Sequence, residues 1–178
     1  MHDKKAVEQE ALETYKRFTA ERDRVDEGEQ GWEVMADFFT EDAVYIDPAW
    51  GRQEGRETIR EFFVASMAAL TGHGWTSPKR WTMLDGHRIV SHWDQVIGGD
   101  NTDQTYAAPG LSILYYAGDG LFCYSHDYLN MMWVNEILRD MAWRPPSGFN
   151  MPPEKPVWHT DLPAAWQHLP DAFTEQGV

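Results

Sequence analysis

Apolar positions recur every three or four residues over residues 4–27: Val7, Ala11, Tyr15 and Phe18, then Arg22 in phase, then Val25. That spacing predicts an amphipathic helix. The polar tract "DEGEQG" ends it, and "WEVMADFF" predicts a shorter second helix with Trp32, Met35 and Phe39 on one side. In "EDAVYIDPAWG" the period becomes that of a strand, which runs into an Asp-Pro turn and a glycine. "GRETIREFFVASMAAL" returns to helical spacing, with Ile59, Phe62, Ser66 and Leu70 on its inner stripe.

Beyond the loop "TGHGWTSP" the pattern predicts strands near 79–84, 87–98, 105–117 and 120–129, with "DGH" and "AGDG" as hairpin connections. "NMMWVNEILRDMAW" predicts a closing helix that ends near residue 143. Helices followed by an antiparallel run give an α+β domain over residues 1–143, with the helices packed against one curved sheet. Residues 144–178 read differently. Seven prolines fall there beside Trp158, Leu162, Trp166 and Phe173, which predicts an extended arm docked on the domain or on a dimer partner.

Composition narrows the function. With 15 basic and 29 acidic residues the formal charge is −14, a balance that repels nucleic acid and anionic membrane surfaces. The single cysteine, Cys123, excludes an internal disulfide framework. No apolar run reaches membrane-spanning length and the N-terminus lacks a signal-peptide core, so a cytoplasmic protein is expected. Nine tryptophans suit an apolar pocket or an extensive interface.

The candidate chemistry is acid–base. In "RIVSHWDQV", His92 and Asp94 share one strand face with Val90 and Val96. Either that face is solvated, or it lines a pocket where the aspartate orients a proton-shuttling histidine. Asp47 precedes Pro48, where an aspartate also serves simply to make the turn. Asp127 falls on the face of Leu121, Cys123 and Ser125, or else caps the final helix. Crowding Asp47, Asp94 and Asp127 into an apolar space would raise at least one pKa. His92 and Asp94, with His126 or His159, lack metal-ligand spacing, and no glycine-rich phosphate loop or dinucleotide fingerprint is present, so no metal and no cofactor is expected.

The stretch "FFTEDAVYIDPAWGRQEGRETIREFF" and the element order around it resemble the nuclear transport factor 2-like superfamily, over about residues 5–142. That superfamily includes ketosteroid isomerase, scytalone dehydratase, limonene epoxide hydrolase and the SnoaL-like polyketide cyclases. The resemblance implies a cone-shaped sheet wrapped around helices, with a deep apolar pocket. It implies that Asp47 matches the general base of ketosteroid isomerase, whose second oxyanion-hole position falls on Ser112. It also implies that Tyr45, Asp47, His92, Asp94 and Asp127 fall on the five site positions of limonene epoxide hydrolase, with Asp47 in place of an asparagine and His92 in place of an arginine.

The expected site therefore has Asp47, His92, Asp94, Asp127 and Tyr45 as catalytic residues, with Tyr15, Trp50, Phe62, Val90, Ser112 and Leu114 against the substrate. The expected substrate is small, apolar and poor in negative charge. Isomerisation, dehydration or cyclisation comes first; epoxide hydrolysis and non-catalytic binding or assembly are the alternatives. A homodimer is expected through the outer sheet face, with Trp93 and the "YSHDY" aromatics on it.

Overall fold

The computed structural model describes residues 4–98 and 106–169. Helix α1 (Lys4–Asp26) buries Ala11, Tyr15 and Val25 along the predicted stripe, with Val7 and Phe18 partly covered. The shorter second helix spans Trp32–Phe38 and is a 3₁₀ helix. Seven residues behind Gly31, with no side-chain cap, are too few to recover the cost of α-nucleation, yet Trp32, Met35 and Ala36 still reach the core.

Among the described residues, seven strands form one curved, unclosed sheet. They are β1 (Phe39–Asp47), β2 (Gly51–Glu54), β3 (Trp75–Thr76), β4 (Lys79–Asp85), β5 (Arg88–Ile97), β6 (Tyr106–Gly118) and β7 (Leu121–Leu129). Their order is β2-β1-β7-β6-β5-β3, with β4 also on β5. The β1–β7 pair is parallel and the others are antiparallel. Register shifts in β1, at Arg80 of β4 and at Cys123 of β7 mark bulges, which bend a sheet and reset which side chains face inward.

Between β2 and β3 the chain forms α2 (Arg56–Phe62), a π-helical turn over Phe63–Met67 and a 3₁₀ turn over Ala68–Leu70. The predicted stripe of Ile59, Phe62, Ser66 and Leu70 is buried, but the wider π-turn rotates Phe63 and Met67 toward the inside of the sheet. Helix α3 (Met131–Asp140) is capped by Asn130, which accepts from Trp133 N at 3.2 Å; Asp127 plays no part in that cap.

Of three apolar clusters among the described residues, one joins Ile97 and Ala108 to Val134 and Ile137 of α3, and the other two lie on opposite faces of the sheet. The inner one joins Tyr15, Phe39, Tyr45, Phe63, Ile89, Leu114 and Phe122. The outer one joins Val44, Ile46, Cys123 and Tyr124 to Leu169, with Leu162 and Trp166 against it. The residues after 143 thus wrap the β2 edge. Arg52 N donates to Val157 O at 2.9 Å, the Arg52 guanidinium bonds His159 O and Asp161 O, and Trp166 Nε1 donates to Asp42 Oδ1 at 3.0 Å. Gly51 permits the approach: at φ +77, a Cβ there would meet Val157 O at 2.6 Å. This cover protects an edge strand that would otherwise offer free backbone groups. Trp158 remains exposed, and Pro170 and Phe173 lie outside the described residues.

Candidate functional site

A cavity of about 240 Å³ opens between α1, the concave sheet face and α3, and the start of the arm closes one side of it. Strand alternation decides what enters it. From β5 the inward residues are Ile89, Ser91, Trp93, Gln95 and Ile97, of which Trp93 and Gln95 line the cavity. His92, Asp94 and Val90 therefore point the other way. His92 stacks on Trp81 with ring centroids 5.3 Å apart, and Asp94 pairs with the exposed Arg80 (Nε to Oδ2, 2.6 Å). The expectation of a histidine–aspartate pair in the pocket is overturned, and with it the expectation that Trp93 faces outward. The physical reason is apolar content: Ile89, Trp93 and Ile97 outweigh Val90 and Val96, so their face takes the core.

Two of the expected carboxylates do reach the cavity. Parallel pairing of Tyr45 with Ser125 and Ile46 with His126 sets Asp47 and Asp127 side by side at the ends of β1 and β7. Asp47 is 7% exposed, and its Oδ1 accepts from the backbone N–H groups of Ala49 (2.7 Å) and Trp50 (3.0 Å). The turn-forming role of an Asp-Pro aspartate and the pocket role are thus met by one side chain. Both bonds end on Oδ1, and Oδ2 receives none among the described residues. Burial drives the Asp47 pKa up to about 7 against the pull of those two N–H groups, and the neighbouring Asp127 adds to the rise.

Asp127 is held differently. Tyr45 OH donates to its Oδ2 and Ser112 Oγ to its Oδ1, each at 2.5 Å, while Trp93 Nε1 donates to Ser112 Oγ at 2.8 Å. Burial raises the Asp127 pKa, whereas Ser112, Tyr45, Arg22 and Lys79 oppose the rise. Burial and the adjacent Asp127 and Asp47 charges hold the Tyr45 phenol well above its ordinary value, so it stays a donor. Tyr15, from α1, donates to the Ser91 hydroxyl, and burial lifts its pKa to about 12. Registers tie these groups into one inward row across four strands: Asp127, Ser112, Ser91 and Thr82.

Among the expected substrate contacts, Tyr15, Trp50, Ser112 and Leu114 line the cavity. Phe62 does not; it stands behind Tyr45 and Trp50, with centroids 5.6 and 5.8 Å away, and Phe63 takes the inner position through the π-turn. Cys123 is the bulged residue, so it leaves the face of Asp127 for the outer cluster, where burial pushes its thiol up to about 12. Sequence reasoning missed Trp93, Trp75, Ser77 and Lys79, and from the arm Phe149, Met151 and Pro152. The alternation of Trp75, Ser77 and Lys79 was the available signal.

The profile of the SnoaL-like domain matches residues 17–124, more than half of the chain. The chain belongs to the SnoaL-like domain family. No curated protein sequence matches this SnoaL-like chain. Solved structures resemble it in fold. A putative SnoaL-like polyketide cyclase from Jannaschia sp. CCS1 superposes with a TM-score of 0.56 at 16% identity, covering 72% of this chain and 91% of that one. An LEH-like epoxide hydrolase of M. tuberculosis gives 0.56 at 14% identity, with coverage of 75% and 92%. TerC, co-crystallized with polyporic acid, gives 0.55 at 17% identity, with coverage of 73% and 98%. Among the described residues, no helix is long and apolar enough to cross a membrane.

Proposed function

We propose that this SnoaL-like domain is a cofactor-independent acid–base enzyme that moves a proton next to a carbonyl in a small, largely apolar substrate, as an isomerase, dehydratase or cyclase does. One observation carries the reading: the two cavity carboxylates are bonded unequally. Asp127 has both oxygens occupied by hydroxyl donors, whereas Asp47 keeps Oδ2 for a ligand. Asp47 is then the base, and a pKa near neutrality lets it take a proton and return it. Asp127 takes up the one hydroxyl hydrogen of Tyr45, and Tyr15 meets negative charge developing on the carbonyl oxygen by exchanging its Ser91 partner for the substrate.

The outward direction of His92 and Asp94 removes two of the positions on which an epoxide-hydrolase reading rests, so proton transfer at carbon is the better-supported reaction. The test is exchange of α-protons in D₂O, followed by NMR over a panel of cyclic ketones and enones. The wild type should catalyse exchange on at least one bound compound, with Asp47→Asn slower by about 10²–10⁴-fold. Bound ketones that exchange no faster than in buffer would leave a binding protein.

We infer also that the outer sheet face forms a homodimer. Trp81, His92, Leu111 and Tyr128 make one row across four strands there, and His126 stacks on Tyr128 with centroids 3.9 Å apart. Trp81→Glu should yield a monomer by light scattering if this row is the interface.

A further inference from the structure

Residues 75–79 run along the β3–β4 side of the sheet with Trp75, Ser77 and Lys79 facing the cavity. Trp75 Nε1 and Ser77 Oγ are buried and bond to nothing among the described residues, and Ser77 as a whole is 6% exposed. A buried indole N–H or hydroxyl left unpaired is costly, so two in one patch point to an acceptor supplied by a ligand. Lys79 sits opposite Trp93 in the β4–β5 register and has no hydrogen bond or ion pair with the described residues. Of the charges that act on it, Arg22 pairs with Asp26 at 2.9 Å and lies over the Trp32 ring at 4.1 Å, Asp26 also accepts from Ser77 N, Asp127 accepts from Tyr45 and Ser112, and Asp23 stays beside it as a carboxylate. Indole and ammonium can only donate, so this edge offers hydrogens and a positive charge, and it asks for oxygen acceptors.

We propose that Trp75, Ser77 and Lys79 anchor an anionic oxygen group of the ligand, a carboxylate or an ionised enol, at the end of the cavity away from Asp47. Strands β7, β6 and β5 lie between β1, which carries Asp47, and β4, which carries Lys79, so one ligand spans the cavity between anchor and base. The ligand is an apolar acid, in contrast to the uncharged substrate that the overall charge of −14 implies. Burial lowers the Lys79 pKa to about 8, with Arg22 adding to the fall and Asp23, Asp26 and Asp127 opposing it, so the anchor is charged at neutral pH and discharges just above it. The proposal rests on the cavity being the ligand site, as the proposed function does, but not on Asp47 acting as a base.

The test is calorimetric titration of the full chain with 2-naphthoate and with its neutral counterpart 2-naphthamide. At neutral pH the acid should bind about tenfold or more tightly than the amide, as one charge-assisted contact warrants. That preference should fade as pH rises past about 8, where Lys79 loses its proton. Lys79→Met should abolish the preference while amide binding changes by less than about twofold; Ser77→Ala should reduce it about threefold to fivefold without a change in charge. Equal affinities in the wild type, no binding of either compound, or a preference that survives Lys79→Met would overturn the proposal. Asp47→Asn separates the two readings: it should stop proton exchange and leave the acid preference intact, so exchange can fail while the anchor stands, and the reverse.

Discussion

Asp47 and Asp127 stand next to each other on parallel strands, and their partners differ in kind: backbone N–H groups for one, side-chain hydroxyls for the other. Backbone donors hold Asp47 in place whatever its protonation state. The hydroxyls of Tyr45 and Ser112 commit Asp127 to accepting. Two like groups in one dry space are thereby given separate tasks.

The Asp47 pairing carries a stability cost that depends on pH. Its folded pKa of about 7 exceeds the ordinary 3.8, so the folded state holds a proton that the unfolded chain has released. The contribution of this one group to stability is then greatest below about pH 4, falls as pH rises toward 7 and levels off above it, a total of about 4 kcal/mol at most. Asp47→Asn should accordingly stabilise the protein at pH 8, by about 2–4 kcal/mol, and have little effect at pH 4. Urea denaturation at the two pH values measures this, and the same variant should have lost proton exchange.

Ser112→Ala removes a donor to Asp127 and leaves Trp93 Nε1 without its acceptor. One buried unpaired N–H corresponds to about 1–3 kcal/mol of destabilisation. Tyr45→Phe should cost less stability but more activity, since it takes away a cavity-lining phenol that holds Asp127. Thermal melts set beside exchange rates would separate the two variants; equal effects on both would contradict the assigned roles.

Gly110 is where the Trp93 ring crosses β6. A Cβ at this position would lie 2.8 Å from three atoms of the indole. Gly110→Ala should displace the ring from Ser112 and destabilise the protein by about 1–3 kcal/mol, as overpacking does. Loss of the Trp93 contribution to fluorescence quenching by cavity ligands would report the displacement.

Asp94→Asn is the contrasting case. Its partner Arg80 is exposed and the pair lies on the outer face, so the change should alter stability by less than about 1 kcal/mol and leave the pH profile of exchange where it was. A displaced profile would return the pair to the mechanism.

Much of the fold was legible because period and length reported it: α1, β1, the hairpins around Gly86 and residues 118–120, and α3 all follow from spacing. What resisted was parity. In β5 both faces carry apolar residues, and only the larger bulk of Ile89, Trp93 and Ile97 marks the inner one. In β7 the bulge at Cys123 changes sides in mid-strand, and no residue type announces it. The candidate site divides along the same line. Asp47, Tyr45 and Asp127 sit where regular alternation places them, whereas Phe63 enters through a π-turn and Lys79 hides in "KRW", which reads as solvated surface. The prolines after residue 144 mark a change of pattern, but where those residues lie depends on long-range contacts at Gly51 and Arg52.

That arm contributes Phe149, Met151 and Pro152 to the cavity wall, while Asp47, Asp127, Tyr15 and Tyr45 all come from the helix and sheet. On the proposed function, chemistry and shape selection reside in segments that are far apart in the chain. Substitutions between residues 149 and 152 should then change the cavity wall while Asp47, Tyr45 and Asp127 stay in register, held by strand pairing. A lineage could change its substrate by rewriting a few positions in a proline-rich strap, and directed evolution should begin there.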